Sequence, residues 1–340
     1  MAPVIKELEK RRADYFILHT GQHYSYNLDK VFFNQLRLPE AKYNIEAGSG
    51  THAVQTSRIL VGVEEVLQKE SPDIVLVEGD TNSVLAGALV AAKLHIKVGH
   101  VEAGLRSYDR SMPEEINRIL ADHCSDYLFA PTEQSKVILL GEGIPEEKIY
   151  VTGNTTVDAV YQNRELSREQ SNILKTLDLK QGEYFLVTLH RQGNVDDYKR
   201  FASLLEGLDR IADIYGIPVV YPVHPHAKKN IEKFKLETPR LYLIEPADYF
   251  DFLQLESNAR LILTDSGGVQ EEACTLGVPC VTLRDNTERP ETVEVGANVV
   301  SGVLPEKILE NVRMMLDNKK TWENPYGDGT AGKKIVDIIM

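Results

Sequence analysis

The sequence predicts an α/β protein of two domains, each a parallel sheet covered by helices. Short β-rich runs alternate with amphipathic stretches along the whole chain, and nine such runs are too many for one doubly wound sheet. A length of 340 residues suits two domains better than one.

The runs are, in order, Tyr15 to His19, Ile74 to Val77, Lys97 to Val101 and Tyr127 to Ala130, then Tyr184 to Leu189, Val219 to Val223, Leu241 to Ile244, Leu261 to Thr264 and Val278 to Leu283. Between them, His52 to Glu70 carries Val54, Ile59, Val63, Val66 and Leu67 at helical spacing, and Ser71-Pro72-Asp73 stops that helix. The polar stretch from Tyr161 to Gln170 interrupts the series near its middle. The expected boundary falls near Asn154, giving domains 1–154 and 155–330, with an apolar-sided helix over 331–340 rejoining the first.

With 42% hydrophobic and 26% charged residues, and no apolar run near the roughly 20 residues that span a bilayer, the chain reads as soluble rather than membrane-bound. Met1-Ala2-Pro3-Val4-Ile5-Lys6-Glu7-Leu8 mixes charge and apolar residues too early for a secretory leader, so the cytoplasm is expected. A formal charge of -13 argues against a general nucleic-acid surface, which needs clustered Lys and Arg. Cys124, Cys274 and Cys280 form no Cys-x-x-Cys pair and read as small core residues. His224-Pro225-His226 has a proline between its rings and no third ligand nearby, so no metal site is expected.

In open parallel sheets ligands lie beyond the carboxyl ends of the strands, and there the polar groups concentrate. Asp80 follows Val75-Leu76-Val77 and either caps the next helix or lies in a cleft. Glu102 ends the apolar run through Val101 with no cap to serve, leaving a buried ion pair or a catalytic carboxylate. Glu114 and Glu115 follow Pro113 at a helix start, where acidic residues suit the helix dipole in any protein. His190 closes a strand as a candidate general acid or phosphate contact. The sharpest local signal is Thr264-Asp265-Ser266-Gly267-Gly268-Val269-Gln270-Glu271-Glu272, a strand ending in a Ser-Gly-Gly turn that opens a helix. Free N–H groups and the helix dipole there suit a diphosphate, with Glu272 one turn on for ribose hydroxyls. Arg289 follows another strand and is a candidate bidentate phosphate partner.

Taken together, His100-Val101-Glu102-Ala103-Gly104-Leu105-Arg106, Pro113-Glu114-Glu115-Ile116-Asn117-Arg118, Thr188-Leu189-His190-Arg191, the Ser-Gly-Gly segment and Thr287-Glu288-Arg289-Pro290-Glu291 resemble the non-hydrolysing UDP-N-acetylglucosamine 2-epimerases over nearly the whole chain. The resemblance implies the fold of two Rossmann-like domains called GT-B, with UDP held mainly by the C-terminal domain and the sugar in the interdomain cleft. It implies a homodimer, UDP-N-acetylglucosamine and UDP as ligands, and elimination of UDP to 2-acetamidoglucal followed by re-addition, with no cofactor. Motif by motif, Asp80, Glu102 and Glu114 become catalytic carboxylates and His190 a UDP-contacting or proton-donating residue. Ser266, Gly267, Gly268, Glu272 and Arg289 hold the nucleotide, Phe252 and the backbone near Ala247 line the uracil pocket, and Arg118 is a cleft arginine. Gln22, His23 and His224 match a region where relatives bind an activating second substrate. Family members begin with a further strand and a Gly-Thr-Arg-Pro-Glu type loop, so this first strand and its basic residues are expected to be missing ahead of Met1.

Overall fold

A computed structural model describes residues 1–22, 33, 35–317 and 321–340. The chain divides into two compact units, Met1–Ala159 with Tyr326–Met340, and Val160–Pro325.

The first unit opens with helix α1 (Ala2–Arg11), which has a proline in its first turn and Lys10 and Arg11 in its last. Strands β1 (Leu18–His19) and β2 (Tyr43–Asn44) pair in parallel over two residues each. β1 is shorter than the run from Tyr15 suggests, because β2 offers partners only to Leu18 and His19. Helix α2 (His52–Glu70) is capped at its start by the Thr51 side chain and stops at Ser71, which is left-handed. A four-stranded parallel sheet follows in sequential order: β3 (Ile74–Glu78), β4 (Lys97–Val101), β5 (Tyr127–Ala130) and β6 (Ile149–Val151). Its crossover helices are α3 (Asn82–Lys93), α4 (Pro113–Cys124) and α5 (Glu133–Gly141). Val77, Val98, Ile59 and Val84 share one buried cluster, while Val101 and Phe129 join Val4, Ile335 and Val336 in another. The last helix of the chain, α15 (Ala331–Ile339), thereby packs with α1. Its first amides, Ala331 N and Gly332 N, donate to Asp158 at 3.0 and 2.9 Å, supplying the cap that the helix itself lacks.

Helix α6 (Thr155–Gln170) leads into the second unit. Its six strands are β7 (Phe185–Thr188), β8 (Val219–Pro222), β9 (Leu241–Ile244), β10 (Leu261–Thr264), β11 (Cys280–Thr282) and β12 (Asn298–Val300), all parallel, in spatial order β12-β11-β10-β7-β8-β9. The sheet is buried on both faces: Phe185, Val187, Val219, Tyr221, Leu261 and Leu263 fill one core, and Tyr184, Leu186, Val220 and Ile262 the other. Helices α7 (Ile173–Thr176), α8 (Gln192–Val195), α9 (Tyr198–Tyr215), α10 (Pro225–Phe234), α11 (Tyr249–Asn258), α12 (Gly267–Leu276), α13 (Pro290–Glu294) and α14 (Pro305–Asp317) make up the rest. The chain winds outward one way from β7 to β9, then returns to start again at β10 beside β7. β7 and β10 therefore flank the point where strand order reverses, where such sheets open a crevice for a ligand. Among the described residues no helix is long and apolar enough to cross a membrane.

Candidate active site

The loops leaving β7 and β10 are tied together at the switch point. Asp265, fully buried, accepts His190 N at 3.1 Å, Arg191 N at 3.0 Å and Asn194 Nδ2 at 3.1 Å. Its carboxylate also lies 3.1 Å from His190 Nδ1, leaving the rest of that half-exposed ring free to face outward. Asp265 thus sets the direction of His190 with a group that no solvent can reach. On the same edge, His224 spends its ring capping α10, accepting His226 N at 3.2 Å, and lies 6.3 Å from the His190 ring. Burial and the neighbouring His190 and His226 hold His224 below the ordinary histidine range.

Ser266 stands at the start of α12 without using its hydroxyl as a cap, so the first-turn N–H groups of the helix have no side-chain partner from it. Gly268 is exposed, and a Cβ there would meet nothing nearer than Ser266 Oγ at 4.0 Å. Gly267 is buried against Glu288, and a Cβ there would stand 2.5 Å from Glu288 Oε1. Glu288 is itself clamped by Arg284 Nη1 at 2.8 Å and Arg191 Nη2 at 3.1 Å. The glycine pair therefore has two separate reasons, a close approach inward and an open face outward. Arg289, buried, pairs through Nε with the buried carboxylate of Glu271, and Thr287 Oγ1 donates to Gln270 at 2.6 Å. The Thr287-Glu288-Arg289 loop is thus stitched to α12, and the Arg289 guanidinium that the sequence offers to phosphate is engaged by Glu271.

Glu272 faces the fully buried Glu256 of α11. Burial raises Glu272 to about 7, and burial with the facing carboxylate raises Glu256 well above its usual range. Phe252 packs on the core beside Ala247, at the start of α11, where Asp248 caps the helix by accepting Asp251 N at 2.9 Å.

In the first unit, Asp80 and Glu102 stand on the loops that leave the neighbouring strands β3 and β4. Asp80 does not cap α3, whose N-cap residue is Thr81; its carboxylate meets Arg118 Nη2 at 2.5 Å. Arg118 also donates to Glu115 at 2.8 Å, and Glu115 accepts Ser107 N and Tyr108 N, each at 2.9 Å. Burial opposes ionisation of Glu115, but those N–H groups and Arg118 outweigh it and hold the carboxyl below the usual range. Of the two adjacent glutamates, Glu115 is structural and Glu114, half-buried in the first turn of α4, makes no hydrogen bond or ion pair among the described residues. Glu102 sits at φ 70, a left-handed conformation that costs a non-glycine residue about 1 kcal/mol or more. Asn154 Nδ2 donates to it at 3.3 Å, and its Oε2 lies 3.5 Å from where a Cβ on Gly79 would be. Gly79, at φ 85, opens the space that Glu102 leans over.

Gln22 is buried and fixed to α3, its Oε1 accepting Ser83 N at 2.9 Å and Ser83 Oγ at 2.6 Å, while His23 lies outside the described residues. Sequence reasoning missed Asp265 and Glu256. Asp265 was visible as a charged residue directly ending an apolar strand; Glu256, in the middle of a helix, gave no signal. Among the described residues no group of three or more His, Cys, Asp or Glu could hold a metal.

Parallel sheets of four and six strands, the second with a switch-point crevice and a glycine-opened helix, define an α/β protein of the two-Rossmann, GT-B-like class. The sequence profile of the UDP-N-acetylglucosamine 2-epimerase family matches residues 6–340, and the chain belongs to that family. It is 54% identical over 346 residues to a UDP-N-acetylglucosamine 2-epimerase of Methanocaldococcus jannaschii, covering 100% of this chain and 94% of that protein. A crystal structure of the M. jannaschii epimerase in complex with UDP-GlcNAc and UDP superposes with a TM-score of 0.94 at 55% identity, covering 99% of this chain and 95% of that one. A Pseudomonas aeruginosa UDP-2,3-diacetamido-2,3-dideoxy-D-glucuronate 2-epimerase is 42% identical over 335 residues, covering 98% of this chain and 93% of that protein.

Proposed function

We propose that this chain is a non-hydrolysing UDP-N-acetylglucosamine 2-epimerase, interconverting UDP-N-acetylglucosamine and UDP-N-acetylmannosamine in the cytoplasm as a homodimer. The observation that carries the reading is the placement of Asp80 and Glu102 on the loops leaving neighbouring strands β3 and β4, beside an arginine and an open glycine.

A hydrogen at sugar carbon 2 is weakly acidic, so it leaves only as the developing charge is relieved by a departing group. A carboxylate takes that proton, the carbon 1 to oxygen bond breaks, and UDP leaves with the bonding pair as 2-acetamidoglucal forms. UDP then adds back at carbon 1 while a proton reaches carbon 2 from the opposite face. Asp80 and Glu102 are assigned the two proton transfers, with Glu114 sharing that role and Arg118 holding Asp80 in place. In the second unit, Ser266, Gly267 and Gly268 are assigned the diphosphate, Glu272 the ribose hydroxyls, Phe252 and Ala247 the uracil, and His190 a contact to the leaving UDP. Arg289 acts on the nucleotide through the loop it braces on Glu271.

The test is product analysis by anion-exchange chromatography with UDP-N-acetylglucosamine and, in parallel, UDP-2,3-diacetamido-2,3-dideoxyglucuronate. UDP-N-acetylmannosamine accumulating to a fixed ratio, with no free hexosamine, supports the assignment. Stoichiometric UDP and free N-acetylmannosamine would place the chain in the hydrolysing branch, and turnover of the diacetamido sugar alone would change the substrate.

A further inference from the structure

His100 lies in the middle of the first unit's sheet with no exposed surface, and both of its ring nitrogens face acceptors. Nε2 is 2.9 Å from the carbonyl oxygen of Gly79, and Nδ1 is 2.6 Å from Oδ1 of Asp122. A carbonyl oxygen only accepts, so Nε2 carries a hydrogen. The other oxygen of Asp122 takes Arg106 Nη2 at 2.6 Å and Gly104 N at 3.2 Å, the contacts of an ionised carboxylate, so Nδ1 carries a hydrogen as well. Arg106 in turn reaches Glu142 at 2.7 Å, so along this hydrogen-bonded chain two carboxylates face one arginine and the ring. A neutral ring in place of the cation would leave the buried cluster with an excess negative charge, the arrangement that burial penalises most.

This ring joins the two loops on which the proposed chemistry stands. Gly79 immediately precedes Asp80, and Asn117 Nδ2 fixes the Asp80 carbonyl at 2.9 Å. Asp122 holds Gly104 and Arg106, so the chain between His100 and Gly104 is pinned at both ends, and Glu102 lies within it at its left-handed φ. One histidine and its aspartate therefore set the spacing of two carboxylates that come from different strands.

We infer that His100 is a positioning residue, held as a buried imidazolium, that fixes Asp80 and Glu102 relative to one another for proton transfer. The inference rests on the reading that those two carboxylates act on the sugar. The charged groups facing the ring are Asp122 from α4 and Arg106 and Glu102 from the loop after β4, with Glu142 beyond Arg106. Burial alone opposes the charged ring, but the charge and hydrogen bond of Asp122 and the Gly79 carbonyl outweigh it and place it above the ordinary histidine range.

The experiment has two arms. Nitrogen-15 NMR of the histidine rings in the full chain, assigned by loss of one signal in His100→Gln, is read at about pH 8, well above the ordinary histidine range. Both ring nitrogens protonated is the expected result; a neutral tautomer, or a ring whose Nδ1 proton resides on Asp122, overturns the imidazolium. Kinetics of His100→Gln and His100→Asn with UDP-N-acetylglucosamine form the second arm. Displaced carboxylates lower kcat by about ten- to a hundredfold while KM stays within about threefold, since the nucleotide turn is untouched. An unchanged kcat in a folded variant sinks the positioning role while leaving the function intact. If the unmodified chain exchanges no carbon 2 hydrogen, the carboxylate reading itself fails and takes the positioning role with it. Should both variants fail to fold, assignment passes to Asp122→Asn or to coupling within the ring, and the ring signal of the unmodified chain decides.

Discussion

Replacing Gly267 by alanine separates the two reasons for the glycine pair. The added methyl would stand 2.5 Å from Glu288 Oε1 and 3.2 Å from its Cδ, so the carboxylate must retreat by roughly 1 Å to reach ordinary contact. It has little freedom, because Arg284 at 2.8 Å and Arg191 at 3.1 Å hold its two oxygens and the side chain is buried. Losing one such charge-assisted bond costs about 1.5–3 kcal/mol, and the helix propensity gained by alanine returns less than about 1 kcal/mol. The net expectation is a loss of about 2 kcal/mol, or a fall in Tm of roughly 4–8 °C if the second unit unfolds as one cooperative body. Gly268→Ala is the control: its nearest neighbour would be Ser266 Oγ at 4.0 Å, so stability should stay within about 0.5 kcal/mol of wild type. That methyl points where the diphosphate is assigned, so UDP affinity should fall by about tenfold or more. Thermal denaturation and titration calorimetry with UDP read both quantities. Equal Tm for Gly267→Ala and wild type would refute the packing argument, and undiminished UDP affinity in Gly268→Ala would refute the cradle.

Other consequences follow from the same contacts. Because folding raises the Glu256 and Glu272 carboxyls, the stability they contribute is fully present below the ordinary carboxyl range and is lost as pH rises, for Glu272 through about 7. Urea denaturation should therefore show wild type losing more stability between pH 5 and pH 8 than Glu256→Gln does, by on the order of 2 kcal/mol; parallel pH profiles would contradict a raised Glu256 carboxyl. Asp265→Ala strands the amides of His190 and Arg191 and the Asn194 side chain, so it should lose about 3 kcal/mol and most UDP binding, measured by denaturation and calorimetry. Asp158→Ala removes the cap of α15 and should cost about 1–2 kcal/mol, with hydrogen exchange accelerating first over residues 331–339.

Strands buried on both faces were legible because their apolar runs are long enough to stand out, as Phe185 to Thr188 and Leu261 to Thr264 show. β2, β6 and β12 escaped notice at two or three residues each, since Tyr43-Asn44 and Asn298-Val299-Val300 carry no period of their own and are strands only by pairing. α1 was hidden for another reason. Its charges served to exclude a leader, while Val4, Ile5 and Leu8 already marked one helical face. At the site, the Ser-Gly-Gly turn announced itself because glycine constraints are local. The partners that give the site its geometry are not: Asp122 stands 22 residues from His100, and Asp265 stands 75 from His190. Glu115 and Glu114 look alike in sequence, and only the fold turns one toward Ser107 and Arg118.

In the proposed reaction, carboxylates of the first unit remove and replace the hydrogen at carbon 2. Incubating the chain with UDP-N-acetylglucosamine in deuterated water and following the sugar by NMR tests it directly. Deuterium entering carbon 2 together with the manno isomer is the predicted result, with both abolished in Glu102→Gln while UDP still binds. Isomer formed without deuterium, or no exchange by a chain that binds UDP, would contradict proton transfer at carbon 2 by these carboxylates.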